Sequence, residues 1–388
     1  MLMNAQVAYF DNAATTFPKP ECVYDFADSF YRSSGGNIGR GGNALAAAAG
    51  SVAAETKANL RTLYNCPASE VVFTSSATDA LNRILFGLEL NAGDDIYVTP
   101  FEHNAVTRPL NQLAKVKDVA IHVLPFDKKS LLPLTQAIES DFEAANPKVV
   151  VLAHASNVCG AVVPVKDICT IAKRYGAVTV LDMSQTAGLI SLDLASDLYD
   201  FAVFAGHKTL YGPFGIGGFF CKHGATLNPV FFGGNGINSV EQDMPKDIVQ
   251  MEEVASQNTY AIAGLKASTN WILAQGLDEI RRAEASACSR LLKELGSRDF
   301  IKIVNDGMTC ERIGVVSVLF DGLSPDEAEM VLGKRGIAVR SGIQCAPYAH
   351  DFLGTLPSGT IRFSVSALTG DEEFAKLRSA LDYIEDSI

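Results

Sequence analysis

The sequence lacks the features of a secreted, membrane-bound or nucleic-acid-binding protein. Its start, M-L-M-N-A-Q-V-A-Y-F-D, has neither the basic residues nor the apolar core of a signal peptide, and no segment reaches the roughly 18 uninterrupted apolar residues of a membrane span. The formal net charge of −12 opposes binding to phosphate backbones or anionic lipid. We therefore expect a cytoplasmic protein that acts on a small molecule, with no nucleic-acid or membrane partner.

Disulfide and metal patterns are absent as well. The 8 cysteines are scattered without C-x-x-C pairs or histidines at zinc spacing. We expect most of them to be reduced core residues and predict no metal site. No low-complexity tract interrupts a composition of 48% hydrophobic and 20% charged residues, which is typical of a globular protein.

What the chain does contain is a regular alternation of short β-branched runs and helical segments over its first two-thirds. This alternation predicts an α/β fold with a mostly parallel seven-stranded sheet. The predicted strands are 71–74, 95–99, 120–124, 149–153, 178–181, 201–205 and 217–221.

The pattern changes near residue 261, and 388 residues are enough for two domains. Two long helical stretches, 261–276 and 277–295, precede predicted strands at 315–319, 337–340 and 360–364. We predict a large α/β domain of residues 19–260. Residues 1–18 and 261–388 should form a smaller α+β domain, with the long helix joining the two.

The strongest local motif is A-V-F-A-G-H-K-T-L-Y-G-P-F-G-I-G-G, in which a buried strand leads into a Gly-rich turn carrying Lys208. A single lysine at such a place is usually a surface residue. An aldehyde cofactor, however, needs an amine in a nonpolar or cationic setting that lowers its pKa, and His207 beside it suits a phosphate group.

Three other strand ends carry polar residues that suit the same cofactor. Asp182 ends the strand A-V-T-V-L and could pair with a pyridine nitrogen, although an aspartate there is also a common helix cap. The segment F-T-S-S-A-T-D presents Thr78 at a helix start that favours an anion, or it is a plain Ser/Thr cap. His103 could stack on a ring or simply cap a helix.

In this order, these segments resemble the class V aminotransferases among the fold-type-I pyridoxal enzymes, and specifically the cysteine desulfurase and selenocysteine lyase group. The resemblance covers nearly the whole chain. It is carried also by Y-F-D-N-A-A-T-T-F-P-K-P, N-I-G-R-G-G, R-S-G-I-Q-C-A-P-Y-A-H and T-I-R-F-S.

The resemblance implies that pyridoxal 5'-phosphate is bound as a Schiff base to Lys208, in a site shared across a homodimer. The implied cofactor contacts are Asp182 at the pyridine nitrogen, His103 on the ring, Gln185 and Asn157 around the ring hydroxyl, Ala77, Thr78 and His207 at the phosphate, and Ser256 at the partner subunit's phosphate. Arg362 matches the arginine that clamps the substrate carboxylate. The same pocket would include Asn37, Arg40 and Arg340.

Cys345 indicates which reaction an enzyme of this kind would catalyse. It lies in a loop after the strand I-A-V-R, near two arginines that favour a thiolate. The resemblance predicts conversion of L-cysteine to L-alanine with a persulfide formed on Cys345, for delivery to a sulfur-acceptor protein. Selenocysteine cleavage, another β-lyase reaction and class V transamination stay open.

Four residues depart from the family pattern: Gln344 for histidine, Ala205 for serine, Asn43 for histidine and Ala255 for glycine. Without a histidine at position 344, the acid-base group would have to be Lys208, water or His350. The departures also leave open a binding protein on an inactivated enzyme fold.

Overall fold

The computed structural model describes residues 7–38, 42–234, 236 and 240–387. The strands are β1 (Ala8–Tyr9), β2 (Glu70–Thr74), β3 (Asp95–Val98), β4 (Ala120–Val123), β5 (Pro147–Ala153), β6 (Val178–Asp182), β7 (Phe201–Ala205), β8 (Gly217–Cys221), β9 (Ile301–Ile303), β10 (Val315–Phe320), β11 (Ile337–Ala338), β12 (Arg340–Gly342) and β13 (Thr360–Ser364). The helices are α1 (Glu21–Ser34), α2 (Ala44–Leu63), α3 (Ala77–Gly87), α4 (Asn104–Lys117), α5 (Thr135–Ala144), α6 (Val165–Arg174), α7 (Ile248–Glu252), α8 (Thr259–Gln275), α9 (Leu277–Gly296), α10 (Pro325–Lys334), α11 (Pro347–Leu353) and α12 (Asp371–Glu385).

The central sheet has seven strands in the order β2-β8-β7-β6-β5-β3-β4. Only β8 is antiparallel to its neighbours; the remaining pairs are parallel. Side chains of β5 alternate between two buried clusters, with Val150 and Leu152 in one and Val149 and Val151 in the other. Because β5 is buried on both faces, nearly all of its residues are apolar, and polar and apolar residues do not alternate along it. The predicted α/β fold with a mostly parallel seven-stranded sheet is confirmed.

A second sheet, in the order β12-β13-β10-β9, is antiparallel and has its own buried cluster. The predicted strand at 337–340 is divided in the structure. Its first half, β11, pairs with β1, whereas its second half, β12, pairs with β13. The pattern of apolar residues could not reveal this division because it depends on two different neighbours.

The predicted helical stretches 261–276 and 277–295 correspond to α8 and α9, which Gly276 separates with a φ of +84°. Helix α8 packs against α1 and α2, while α9 supplies Leu291 and Leu295 to the second cluster. The proposed division into residues 19–260 and residues 1–18 with 261–388 stays a prediction.

The site is positioned by the parallel strands. The carboxyl ends of β2, β3, β5, β6 and β7 lie at one edge of the central sheet, which is where open α/β sheets bind ligands. In the part of the chain that the structure describes, no helix is both long and apolar enough to cross a membrane.

Candidate active site

A cavity of about 220 Å³ lies at this edge of the sheet. Most of the predicted site residues line it: Ala77, Thr78, His103, Asn157, Asp182, Gln185, His207, Lys208, Arg340 and Arg362. They come from segments spread over almost 300 positions of the sequence, and the fold brings them to one place. Cys345, Asn37 and Ser256 lie outside this lining.

Lys208 lies in the turn that follows β7. The turn is closed by a hydrogen bond of 2.8 Å from the Tyr211 amide to the Lys208 carbonyl, and the Thr16 hydroxyl donates to the same carbonyl at 3.0 Å. Burial lowers the pKa of the Lys208 amine from 10.5 to about 8, with Arg362 and Arg340 acting in the same direction and Asp182 opposing them. A useful fraction of this amine is therefore uncharged near neutral pH.

Asp182 and Gln185 occupy the end of β6 and the turn after it. Asp182 is buried, and its Oδ1 accepts a hydrogen bond of 2.9 Å from the Ser184 amide. Gln185 is buried too and donates from Nε2 to the Ala13 carbonyl at 3.0 Å. Asp182 lines the same cavity as Lys208, and its carboxylate is chemically suited to pair with a protonated ring nitrogen.

His103 caps a helix, one of the two roles that its sequence left open, and its role at the cofactor ring stays a prediction. It is the N-cap of α4, with Nδ1 accepting from the Ala105 amide at 3.0 Å, and its ring also lines the cavity. Burial, aided by the charges of Lys208 and Arg340, lowers its pKa to about 3. The ring is thus neutral at physiological pH, with Nδ1 as acceptor and the proton on Nε2.

The other end of the cavity suits an anion. Ser76 caps α3 by accepting from the Asp79 amide at 3.1 Å, so the first two amides of the helix, those of Ala77 and Thr78, have no acceptor within the described residues. His207 Nδ1 is also buried without a partner there. Free amides at a helix N-terminus beside an unsatisfied imidazole form a suitable phosphate site.

Arg362 is buried in β13 and is already held by two protein groups. Its Nη2 forms an ion pair with Asp11 at 2.5 Å, and its Nη1 donates to the Asn157 carbonyl at 3.0 Å. The guanidinium Nε has no partner among the described residues. Part of the donor edge stays available to a substrate carboxylate, while the two existing bonds orient the group.

Cys345 lies next to the cavity and not in its lining. It lines a neighbouring groove of about 480 Å³ that shares Thr78 and His103 with the cavity. Its sulfur is 3.5 Å from Nη2 of Arg340, and its carbonyl accepts from the Asn104 amide at 2.7 Å. A partly exposed thiol beside a guanidinium is a typical setting for a reactive cysteine.

Two predicted residues contact each other away from the cavity. Asn37 Nδ2 donates to the Ser256 hydroxyl at 3.1 Å, and both side chains are at or near the surface. Their assigned roles at the substrate and at the partner subunit's phosphate stay predictions. Arg40 lies outside the described residues.

Comparison with known proteins gives the family. The family model for class-V aminotransferases matches residues 8–377. The chain belongs to the class-V aminotransferases. It is 31% identical over 380 residues to a probable cysteine desulfurase of Xylella fastidiosa, covering 96% of this chain and 89% of the relative. It is 30% identical to a probable cysteine desulfurase of Aeropyrum pernix, over 97% of this chain and 94% of the relative.

The fold of this chain is also similar to that of a solved cysteine desulfurase. The apo structure of a cysteine desulfurase from Thermococcus onnurineus NA1 superposes with a TM-score of 0.87 at 27% identity, covering 99% of this chain and 96% of that one. The predicted family is therefore confirmed. Because class-V aminotransferases are pyridoxal-phosphate enzymes, the predicted cofactor and the enzyme class are confirmed as well.

One of the expected departures from the family pattern has a structural explanation: Asn43 caps α2 by accepting from the Ala46 amide at 2.9 Å. Ala255 has a positive φ of +67°, a left-handed conformation that favours glycine, so nothing in the structure explains an alanine there. His350, considered above as a substitute acid-base group, is fully buried and has both ring nitrogens engaged, so it cannot reach a substrate.

The sequence reasoning missed two buried or half-buried carboxyl groups. Asp11 orients Arg362, and Glu102 accepts from the Thr99 hydroxyl at 2.6 Å and the Ala153 amide at 2.7 Å. The hydrogen bond from Ala153 thereby connects the segment that contains Glu102 and His103 to β5. Burial raises the pKa of Glu102 to about 8, so its carboxyl is largely protonated at neutral pH. Its position directly before His103 was the available signal.

The Lys208 environment predicts a pH dependence for cofactor attachment. Reconstitution of the apoprotein with pyridoxal phosphate should accelerate as the pH rises and level off above about 8, because only the neutral amine attacks an aldehyde. The measurement is the growth of visible absorbance after mixing, from about pH 6 to about pH 10. A rate that still rises steeply at the upper limit, as for an ordinary lysine, would contradict the lowered pKa.

Proposed function

We propose that this enzyme is a cysteine desulfurase, which converts L-cysteine to L-alanine and retains the substrate sulfur as a persulfide on Cys345. One observation carries the proposal: the Cys345 sulfur lies beside Arg340, which lines the same cavity as Lys208 and Arg362. The curated relatives named above bear the same activity in their names. Selenocysteine cleavage, another β-lyase reaction and transamination are the alternatives.

The residues of the cavity fit the cofactor. Ala77, Thr78 and His207 would hold its phosphate, Asp182 its pyridine nitrogen and His103 the face of its ring, with Gln185 and Asn157 near the ring hydroxyl. Bound pyridoxal phosphate supplies an electron sink for charge that develops at the substrate α-carbon. The unpartnered amides and the unpartnered His207 nitrogen support this assignment, because buried polar groups require partners.

Arg362 orients the substrate and Lys208 moves its proton. The carboxylate of L-cysteine binds the free edge of the Arg362 guanidinium, which Asp11 and the Asn157 carbonyl hold in place. The Lys208 amine, with a pKa of about 8, then accepts the α-proton and later returns a proton to carbon. His103 and His207 cannot share this task at neutral pH, because the pKa of each is lowered to about 3 by burial.

Sulfur transfer to Cys345 balances without an external oxidant. The Cys345 thiolate attacks the substrate sulfur, so a sulfur–sulfur bond forms as the bond between Cβ and sulfur breaks. The electron pair of the broken bond remains on the substrate carbon, which takes up a proton and becomes the methyl group of alanine. The Arg340 guanidinium, 3.5 Å from the sulfur, stabilises the attacking anion.

The remaining assignments are part of the same proposal. The enzyme acts as a cytoplasmic homodimer in which Ser256 reaches the phosphate of the partner subunit, and a sulfur-acceptor protein removes sulfur from Cys345. Support for these assignments comes from the exposed position of Ser256 and from the open groove in front of Cys345. The two-domain division belongs here too, supported by the separate buried cluster of the second sheet.

The test is a product assay with L-cysteine as the sole substrate. We expect alanine in a one-to-one ratio with transferable sulfur. After a single turnover, mass spectrometry of the protease-digested protein should place one extra sulfur atom on the peptide that contains Cys345. Formation of pyruvate instead of alanine would identify another β-lyase, and dependence on an added 2-oxo acid would identify a transaminase. Turnover of L-selenocysteine without turnover of L-cysteine would identify a selenocysteine lyase.

A further inference from the structure

We propose that Gln344 and His350 are positioning residues that hold Cys345 in place for sulfur transfer. The inference rests on the proposed role of Cys345 as the sulfur acceptor. It assigns a structural basis to Gln344, which stands where a histidine is expected before the cysteine, and it gives His350 a role other than proton transfer.

The backbone of the Cys345 loop needs external support. Gln344 and Cys345 have φ values of +42° and +57°, a left-handed region that residues with side chains seldom adopt. Such conformations persist only when the surroundings enforce them. Two backbone contacts do so here: the Asn157 side chain donates to the Gln344 carbonyl at 2.8 Å, and the Asn104 amide donates to the Cys345 carbonyl at 2.7 Å.

The Gln344 side chain adds a third support, and its orientation is determined by its neighbours. One end of the buried amide meets two carbonyl oxygens, those of Thr360 at 3.0 Å and Arg340 at 3.3 Å. Carbonyl oxygens only accept hydrogen bonds, so this end must be the Nε2 donor. The Oε1 acceptor consequently faces His350 Nε2 at 2.8 Å.

His350 completes the chain of hydrogen bonds. Its Nε2 donates to Gln344, so its Nδ1 accepts from the Thr355 hydroxyl at 2.7 Å. The ring is fully buried, and burial lowers its pKa to about 4, which keeps it neutral at physiological pH. His350 therefore supports the Cys345 loop through Gln344 and the Ile343 backbone, and not by proton transfer.

Gln344 also connects Cys345 to Arg340. Its amide binds the Arg340 carbonyl, while the Arg340 guanidinium lies 3.5 Å from the Cys345 sulfur. A histidine at position 344 would be shorter and could not bind two carbonyls and His350 at once. Loss of the His350 bond should thus release the loop and separate the thiol from the guanidinium.

The test compares His350→Leu with His350→Gln, and with His223→Leu as a control at an exposed histidine. In His350→Leu, kcat for alanine formation should fall roughly 10- to 100-fold, because a reacting group is misplaced. KM for L-cysteine should stay within about 3-fold, since substrate binding is unaffected. His350→Gln should recover most of the activity, because its amide can donate to Gln344 and accept from Thr355.

Exchange of the α-proton of L-alanine in D₂O, followed by NMR, distinguishes a misplaced Cys345 from a general loss of catalytic activity. This exchange needs Lys208 and Arg362 but not Cys345, so it should proceed at the wild-type rate in His350→Leu. An unchanged kcat in that variant, or an equal loss of kcat and of α-proton exchange, would overturn the proposal.

A further measurement distinguishes this proposal from the proposed function. If Cys345 proves dispensable for alanine formation, the proposed function fails, but the loop can still be examined without turnover. Amide hydrogen exchange of the peptide containing Cys345 and Ala346 should accelerate in His350→Leu and not in His223→Leu. Equal protection of that peptide in both variants would refute the positioning role.

Discussion

Replacement of Lys208 with alanine should lower turnover of L-cysteine by at least about 10³-fold, because a nucleophilic amine and a general base are lost together. The two histidines that line the described cavity are poor substitutes as bases at neutral pH, since burial lowers the pKa of each to about 3. Asp182 also lines the cavity, where we assign its carboxylate to the pyridine nitrogen of the cofactor. The loss should therefore appear in kcat and in α-proton exchange alike.

The cofactor gives an independent measurement of the same variant. Wild-type enzyme should show a visible absorbance band that borohydride removes with permanent labelling of the Lys208 peptide, whereas Lys208→Ala should show no such labelling. Lys148→Ala, at an exposed lysine of β5, is the matched control and should behave as wild type. Labelling of a different lysine, or full activity in Lys208→Ala, would contradict the assignment.

Replacement of Cys345 with alanine should lower alanine formation from L-cysteine by at least about 10²-fold while leaving the cofactor bound, since removing a reacting nucleophile affects the chemical step. Cys345 does not line the cofactor cavity, so the visible absorbance should be unchanged. Exchange of the α-proton of L-alanine should also continue. Loss of alanine formation with unchanged visible absorbance and continued α-proton exchange would show that Cys345 acts only in the transfer of sulfur.

The chain offers a suitable control for this variant. Cys22 is exposed on α1 and lines neither the cavity nor the groove beside Cys345, so Cys22→Ala should retain full activity and the persulfide on the Cys345 peptide. Unchanged alanine formation in Cys345→Ala would exclude a persulfide on this residue. A colourless wild-type protein that cannot be reconstituted would instead favour the inactive scaffold.

The strands of the central sheet were predictable because their signal is local. Each predicted segment overlaps an observed strand, and the polar residues that follow β6 and β7 lie where a parallel sheet must place them. Asp182 and Lys208 could therefore be paired from the order of motifs alone. The split of 337–340 into β11 and β12 was not predictable, because each half pairs with a strand distant in sequence.

Other features of the site depend on contacts between distant segments. Asp11 and Arg362 are separated by 351 positions, and nothing near either residue indicates their ion pair. The sequence shows Gln344 only as the loss of a possible acid-base histidine, whereas in the structure its amide is fully hydrogen-bonded. His350, a candidate proton donor by residue type, is buried behind the site instead.

The sequence by itself determined the fold class, because apolar periodicity is a property of short segments. The resemblance of its motifs to a known family implied many of the residues that line the cofactor cavity. The tertiary structure decided how those residues behave. Only packing buries Lys208 beside two arginines and lowers its pKa to about 8, and only packing places the Cys345 sulfur 3.5 Å from Arg340. Desolvation and charge proximity arise between segments that are distant in the sequence, so no local pattern records them.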